Sequence, residues 1–257
     1  MTDHVTVDSA QGVLTITLAR PEKMNAITNV MYGTMADAIA GAQNDPSIRV
    51  VLIQGEGAMF TAGNDLGEFA AEATGEAQGE RQVFRFLRAV AGSVLPLVAA
   101  VNGRAVGIGT TMLLHCDFVL LAEDALLSTP FVNLALVPEA ASSLLLPSRI
   151  GHVRAFEMFA LGKPISAAQA LAWGLANRVV PNAALHDEAR QVAVALAKQA
   201  AGSLRTTKSL MRHAEAVAAR MELETTHFTE RLKSPEAREA FAAFAQKRSP
   251  DFSKIAG

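Results

Sequence analysis

"LPLVAAVNGRAVGIGTTMLL", residues 95–114, passes from an apolar run through a glycine-containing loop into a helical segment. The short apolar run, bounded by glycine, is typical of a fully buried strand. Backbone N–H groups at such a strand-to-helix turn can bind a phosphate or an oxyanion. The stretch therefore predicts a layered core in which a glycine turn follows a buried strand. Such turns are common, so this loop alone favours a structural role, and only a second loop of the same kind strengthens the anion-binding interpretation.

Two neighbouring apolar runs extend this pattern. "RVVLIQG" at 49–55 precedes a second glycine-containing loop, "GEGAMFTAGNDL" at 55–66, and "CDFVLLAED" covers 116–124. Helical segments separate the runs, which predicts an α/β or α+β core with buried parallel strands. Near the N-terminus, "HVTVDS" and the alternating "GVLTITLARP" predict a strand pair joined by a turn at 10–12.

Helical segments are marked by apolar spacing and by capping residues. "TNVMYGTMADAIAGAQND" has a cap at Thr28 or Asn29, and "SAAQALAWGL" opens with Ser166. "VRAFEMFALG" lies between them and is also predicted to be helical. After about residue 183 the strand pattern stops and only amphipathic helices follow, including "SLRTTKSLMRHAEAVAARMELETTHFTERL" and a last helix opening at Ser234. Such a helical tail packs on the core or on another subunit.

Composition narrows the function classes. The 257 residues carry a net charge of −2 and no basic stripe, so nucleic acid is not expected as a partner. Cys116 is the only cysteine, which suits a reducing compartment. The longest apolar stretch, 93–121, contains Arg104, His115 and Asp117, so it predicts a buried core and not a membrane span. We expect a cytoplasmic protein without membrane or nucleic-acid partners.

No metal site is expected. The chain has no HExxH motif, no CxxC pair and no phosphate-binding GxxxxGK[ST] loop. His115, Cys116 and Asp117 are adjacent, but neighbours along a strand point to opposite faces and no partners follow at ligand spacing. Cys116 is predicted to be a small core residue.

Glu139 is the one carboxylate in the nearly uncharged stretch "TPFVNLALVPEAASSLLLPSRIG", residues 129–151. The local sequence favours a helix start, with Pro138 at the first position and Glu139 in the first turn, where the helix dipole stabilises an acid. The alternative is a general base in an apolar pocket, because burial raises the pKa of a carboxyl group toward neutral pH.

Five segments together resemble the crotonase (enoyl-CoA hydratase/isomerase) superfamily, in family order over about residues 10–252. They are "ITLARPEKMNAI", "FTAGNDL", "AAVNGRAVGIGTTMLLHCDF", "LGKPISAAQALAWGLANRVV" and "FAAFAQKR". The resemblance implies an α/β (α+β) fold in which residues 1–195 form a spiral of ββα units that binds acyl-CoA. It also implies a C-terminal helical region, 196–257, that closes the CoA site and forms a homotrimer or a dimer of trimers.

The resemblance further implies an acyl-CoA thioester substrate, with coenzyme A as part of the substrate, no separate cofactor and no metal. By resemblance, the backbone N–H groups of Ala62 and Ile108 form the oxyanion hole. The residues implied in substrate or CoA binding are Met24, Ala26, Gly63, Asn64, Asp65, Leu66, Phe131, Phe244 and Lys247.

Two positions depart from the hydratase pattern. Where the family's hydratases carry their two glutamates, this sequence has Thr111 and Phe131. "TPFVNLALVPEAASS" instead is similar to the Δ3,Δ2-enoyl-CoA isomerase branch, in which a glutamate at the position of Glu139 is the single catalytic base. With this context we favour the catalytic interpretation of Glu139, within an apolar wall that includes Phe131, Leu134 and Leu136.

Two alternatives stay open at the level of sequence. One is an enoyl-CoA hydratase, or another acyl-CoA-transforming member of the family, that recruits a second acid. The other is an acyl-CoA-binding protein without turnover, which the loss of both hydratase glutamates favours slightly and the retention of Glu139 disfavours.

Overall fold

The computed structural model describes residues 3–73 and 80–255, in which the strands form two sheets. The larger has six strands in the order β1-β2-β3-β4-β6-β9, and the smaller has the order β5-β7-β8. The strands are β1 Val5–Ala10, β2 Val13–Leu18, β3 Val50–Gly55, β4 Leu97–Val101, β5 Arg104–Val106, β6 Phe118–Ala122, β7 Leu126–Ser128, β8 Ile165–Ser166 and β9 Arg178–Val180.

The larger sheet has the predicted mixture of pairings. Strands β1 and β2 form an antiparallel hairpin with Ala10 opposite Val13. Gln11 and Gly12 in its turn both have positive φ, which suits the tight turn between two twisted strands. From β2 to β9 every pairing is parallel. All five residues of β4 are buried, which explains why its sequence is uniformly apolar.

Helices cover and connect the strands. They are α1 Asn29–Asn44, α2 Leu66–Ala73, α3 Gln82–Gly92, α4 Ile108–Thr111, α5 Ser142–Ile150, α6 His152–Leu161, α7 Ala167–Ala172, α8 Leu185–Ala197, α9 Ala201–Leu210, α10 Ala214–Leu232 and α11 Pro235–Ala245. The expected caps are confirmed: side chains of Thr28, Ser166 and Ser234 accept backbone N–H groups of the first turns of α1, α7 and α11.

The chain advances in repeated turns. Strand β4 enters the larger sheet, β5 enters the smaller one, and α4 follows; β6, β7 and α5 repeat this order. Strands β4 and β6 are parallel neighbours in one sheet, and β5 and β7 are parallel neighbours in the other. This is the spiral of ββα units that the family resemblance implies.

The C-terminal helices pack on the same chain. Helix α8 lies against β3, β4 and β6, α10 against α3 and α5, and α11 against the short 3₁₀ turn Val132–Leu134. The expected division after residue 195 falls inside α8, whose buried side includes Ala197. The predicted helical segment 203–232 is interrupted at 211–213, where His213 leaves helical backbone angles (φ −95°, ψ 69°) before α10 begins.

In the part of the chain that the structure describes, no helix has the length and apolar character needed to cross a membrane.

Candidate active site

The two glycine-containing loops lie side by side. Backbone hydrogen bonds run between them from Phe60 N to Asn102 O (2.7 Å), from Thr61 N to Arg104 O (3.0 Å) and from Val106 N to Thr61 O (3.1 Å). A Cβ built on Gly63, whose φ is 91°, would come within 2.8 Å of Val106 O. The loops can therefore approach this closely only because Gly63 has no side chain.

The N–H groups of the loops differ in what they can still bind. Ala62 N donates to Met24 O at 2.9 Å, so the expectation that Ala62 supplies an oxyanion-hole donor is wrong. Gly63 N is also engaged, by Thr61 Oγ1 at 3.0 Å. In contrast, within the described residues the N–H groups of Asn64 and Ile108 donate to no protein group. Two adjacent loops thus each offer a free donor, Asn64 N in the first and Ile108 N in the second.

Asn25 holds the first loop in place, although no sequence pattern marked it as important. It is fully buried with a left-handed backbone, and its Nδ2 donates to Glu56 O and Met59 O, both at 2.8 Å. Its Oδ1 accepts from Arg20 N (2.8 Å), and its carbonyl accepts from Thr61 Oγ1 (2.6 Å). Both Nδ2 hydrogens and the Oδ1 atom are therefore engaged in fixing the segment that leads to Asn64.

Asp65 is structural in this loop. Its carboxylate pairs with Arg20 at 2.8 Å and accepts Gly67 N at 3.0 Å at the start of α2. Partial burial acts to raise the pKa of Asp65, but the hydrogen bonds from Arg20 and from the backbone hold that pKa below its usual value. The Asp65 carboxylate is thus ionised and already occupied.

Glu139 does not belong to a helix. Helix α5 begins three residues later at Ser142, and Ala140 and Ala141 both have left-handed backbones (φ 60° and 55°). The helix-start interpretation is therefore wrong, because a left-handed pair breaks the helix at its supposed first turn. Each such non-glycine residue costs about 1 kcal/mol or more, so the surroundings must hold this turn.

The Glu139 side chain lines a cavity of about 390 Å³ between the first loop, α1, α3 and α10. Burial raises the pKa of Glu139 to about 8; the hydrogen bond from Thr111 Oγ1 acts against this and the charge of Glu224 adds to it. The Thr111 Oγ1 to Glu139 Oε1 distance is 2.5 Å. A carboxyl group with a pKa near neutrality, facing a cavity, is suited to accept and return a proton.

Most of the cavity wall is apolar. Its apolar side chains include Ile27, Val30, Phe69, Leu87, Met221 and Phe228. Phe69 and Phe228 meet edge to face with their ring centroids 6.0 Å apart. This wall provides room for an apolar acyl group beside Glu139.

Tyr32 is a polar member of the same cavity that the sequence did not single out. Its hydroxyl donates to Asn64 Oδ1 at 2.5 Å. Burial, with smaller contributions from Glu139 and Glu68, raises the pKa of Tyr32 well above its usual value, so the phenol stays protonated. The Tyr32 hydroxyl therefore fixes the Asn64 side chain.

The predicted binding residues fall into two groups. Asn64 and Asp65 line the cavity with Glu139, whereas Met24, Ala26, Gly63, Leu66, Phe244 and Lys247 lie outside it. Met24 and Phe244 are exposed.

Phe131, Leu134 and Leu136 are not among the residues that line this cavity. The Phe131 ring is instead buried in the core, 6.1 Å from Phe159 between ring centroids. The second hydratase position therefore presents no side chain to this cavity.

The adjacent residues His115, Cys116 and Asp117 make separate contacts. His115 Nε2 lies 2.8 Å from Ala140 O, Cys116 Sγ lies 3.7 Å from Met112 O, and Asp117 pairs with Lys208 at 2.6 Å. Among the residues that the structure describes, no group of three or more His, Cys, Asp or Glu side chains is placed to hold a metal ion.

Known proteins match this chain over nearly its whole length. The family model for enoyl-CoA hydratase/isomerase matches residues 8–254. The chain is 35% identical over 249 residues to 1,2-epoxyphenylacetyl-CoA isomerase of Escherichia coli (strain K12), covering 94% of this chain and 95% of that protein. It is 34% identical over 250 residues to enoyl-CoA delta isomerase 2 of Rattus norvegicus, covering 95% of this chain and 64% of that protein.

A solved structure agrees with these matches. The enoyl-CoA hydratase/isomerase from Pseudoalteromonas atlantica T6c is similar with a TM-score of 0.92 and 40% identity, covering 97% of this chain and all of that one.

Proposed function

Because the chain belongs to the enoyl-CoA hydratase/isomerase family, whose members transform acyl-CoA thioesters, we propose that it is a Δ3,Δ2-enoyl-CoA isomerase. It moves the double bond of a 3-enoyl-CoA to the 2-position by a proton transfer through Glu139. Coenzyme A enters as part of the substrate, and the proposed reaction uses no further cofactor.

The observation that carries the proposal is that Glu139 is the one buried carboxyl group on the described cavity wall. The other acids there are Asp65, which is paired with Arg20, and the exposed Glu68 and Glu80. Burial raises the pKa of Glu139 to about 8, and the two positions where hydratases carry glutamates hold Thr111 and Phe131. Thr111 donates to Glu139 and Phe131 packs in the core. Hydration needs a water to be activated and a proton to be delivered, work usually shared by two acids, whereas isomerisation needs one base.

In the proposed reaction, the C2 proton of the 3-enoyl-CoA is acidic because it is both α to the thioester and allylic. The Glu139 carboxylate removes it, and the electron pair moves into a dienolate whose charge lies on the thioester oxygen. The same carboxyl group returns the proton to C4, which leaves the conjugated 2-enoyl-CoA. The proton and the electrons balance, and no water is consumed.

The free N–H groups of Asn64 and Ile108 are the proposed oxyanion hole. Asn64 takes the place first expected for Ala62, because the Ala62 N–H is bound to Met24 O. Removing one oxyanion donor typically costs ~2.7–4 kcal/mol of transition-state stabilisation. The Tyr32 hydroxyl supports this arrangement by holding the Asn64 side chain.

The remaining predicted residues are proposed to contact the CoA part of the substrate outside the cavity. Gly63 and Leu66 belong to the first loop, and Met24 and Ala26 belong to the preceding segment, whose Met24 O accepts Ala62 N. Phe244 lies in the last turn of α11 and Lys247 just beyond it. The ammonium group of Lys247 suits phosphate charge at the nucleotide end.

The test is a paired assay of the protein and its Glu139→Gln variant. Each receives 3-hexenoyl-CoA, followed by the absorbance of the conjugated product, and separately 2-butenoyl-CoA, followed by hydration. Wild-type isomerisation should fall by at least about 100-fold in Glu139→Gln, with little hydration in either protein. Glu157→Gln, at an exposed glutamate on α6, is the matched control and should behave as wild type.

Other outcomes identify the alternatives. Dominant hydration in the wild type contradicts the isomerase proposal and indicates a hydratase. Tight acyl-CoA binding without turnover or proton exchange at C2 indicates a non-catalytic acyl-CoA-binding protein.

A further inference from the structure

The turn that carries Glu139 has a backbone that its sequence does not favour. Ala140 and Ala141 are both left-handed, without the freedom of glycine and without a side chain that could hydrogen-bond locally. Something outside the turn must therefore fix it, and two buried side chains contact its backbone.

His115 contacts the turn from the end of the 3₁₀ segment that follows α4. Its Nε2 lies 2.8 Å from Ala140 O. Burial lowers the pKa of His115 to about 4, so the imidazole is neutral near pH 7. Because a carbonyl oxygen can only accept, Nε2 carries the hydrogen and donates it to Ala140.

Glu224 contacts the turn from α10, far along the chain. One carboxylate oxygen accepts Ala141 N at 2.6 Å and the other accepts Ser143 N at 2.8 Å. Only 5% of Glu224 is exposed. Its two oxygens thus take up backbone donors at the start of α5, where no local side chain provides a cap.

Glu224 is close to the base but does not face the substrate. It is not among the residues that line the cavity, although its neighbours Met221, Thr225 and Phe228 are. Both of its oxygens are engaged by the backbone. Glu224 is therefore unsuited to act as the second acid of a hydratase, and its contacts act on the turn.

We propose that His115 and Glu224 are positioning residues for Glu139, which hold the left-handed turn at its carbonyl and at its N–H groups. The inference rests on the proposed role of Glu139 as the base. When the hydrogen bonds of either residue are removed, the turn relaxes and the carboxyl group leaves the place fixed by Thr111. Substrate still binds, but the proton transfer slows, so kcat falls while KM is kept.

The experiment compares four variants on 3-hexenoyl-CoA, with rates normalised to folded protein. Glu224→Gln and His115→Leu should each lower kcat at least about tenfold and change KM by less than about threefold, because misplacing a reacting group slows the chemical step. His115→Gln keeps an N–H donor and should retain kcat within about threefold of wild type. Glu222→Gln, at an exposed glutamate of the same helix, is the matched control.

Three results overturn the proposal. They are a wild-type kcat in folded Glu224→Gln and His115→Leu, a KM that rises while kcat stays unchanged, and a kcat in His115→Gln as low as in His115→Leu. A purely structural role would lower the amount of folded protein without these changes. If Glu224→Gln does not fold, the two His115 variants decide.

A measurement without turnover separates this inference from the proposed function. The carboxyl ¹³C signal of Glu139, assigned by its loss in Glu139→Gln, is titrated in wild type and in His115→Leu. The charged or titratable groups that face Glu139 are Glu224 from α10 and Tyr32 from α1, and Arg220 faces Glu224. The His115→Leu substitution leaves these groups in place and changes no charge, because burial keeps His115 neutral near pH 7. Release of Glu139 from the Thr111 hydroxyl removes a hydrogen bond that lowers its pKa, so the midpoint should move to higher pH.

A midpoint that stays or falls in folded His115→Leu contradicts the positioning role. A wild type that moves no double bond, with the midpoint still shifted, contradicts only the proposed function.

Discussion

Glu139 combines a buried carboxyl group with one short hydrogen bond, and these two features set its chemistry. Burial raises its pKa to about 8, and the Thr111 hydroxyl acts in the opposite direction. A Thr at this position thus takes part in the site, although the sequence pattern presents it only as a lost glutamate. It stabilises the ionised form of the base without adding a second acid.

The pH dependence of the reaction follows from this pKa. Glu139 must be ionised to accept the C2 proton, so kcat/KM should rise about tenfold per pH unit below about pH 8 and level off above it. A profile that is flat between about pH 6 and 9 contradicts the assignment of Glu139 as the base.

Thr111→Val should move that midpoint to higher pH, because it removes the hydrogen bond that lowers the pKa of Glu139. The measurement is kcat/KM against pH for both proteins. Thr226→Val, at an exposed threonine of α10, is the control and should leave the midpoint in place.

At the scale of elements, the two loops that follow β3 and β4 place the proposed oxyanion donors. Gly109, the second residue of α4, packs against Thr61 so closely that a Cβ built on it would overlap Thr61 Cγ2. The contact brings the start of α4, with its free Ile108 N–H, against the loop that carries Asn64. Both donors therefore depend on the fit between one glycine and one threonine methyl group.

Gly109→Ala should lower kcat by about tenfold or more, since the added methyl group pushes the two donors apart. The double variant Thr61→Ser/Gly109→Ala removes the Thr61 methyl group but keeps the hydroxyl that bonds to Asn25 O. It should recover most of the lost activity. A double variant as slow as Gly109→Ala would show that the methyl overlap is not the cause.

At the scale of the whole molecule, the C-terminal helices complete the site. Helix α10 packs on α3 and α5, lines the cavity through Met221 and Phe228, and contacts the Glu139 turn through Glu224. The apolar cavity and the buried base therefore exist only after residues more than 80 positions apart have come together.

Burial of Glu139 has a cost for the folded state that depends on pH. Its pKa in the folded state is about 8, above the 4.5 that is usual for a glutamate side chain. The folded state thus binds the proton more tightly, and stability falls as pH rises from the unfolded to the folded pKa. Glu139→Gln should therefore raise the melting temperature more at about pH 9 than at about pH 5. The melting temperatures are measured by scanning calorimetry. An equal rise in melting temperature at both pH values contradicts a raised pKa of Glu139.

We further propose that the chain forms a homotrimer or a dimer of trimers, in which the exposed apolar pair Leu210 and Met211 is covered. Leu210 is 82% exposed and Met211 78%. Sedimentation equilibrium should give three or six times the chain mass, and Leu210→Glu/Met211→Glu should lower the assembled fraction. Val94→Glu, at another partly exposed apolar residue, is the control. A monomeric wild type contradicts the proposal.

The sequence by itself determined the buried parallel strands, the capped helices, the two converging loops and the family. These features follow from local patterns, because apolar periodicity, glycine turns and capping side chains act within a few residues. It also drew attention to Glu139, as a lone carboxyl group in an apolar stretch.

Only the tertiary structure decided which groups of the site are free. The sequence could not show that Ala62 N is bound to Met24 O, that Phe131 turns into the core, or that Ala140 and Ala141 are left-handed. Nor could the sequence show that His115 and Glu224 contact the backbone of the turn that carries Glu139. Hydrogen-bond donors and acceptors are paired by distance in space, and residues distant along the chain leave no local pattern that records such a pairing.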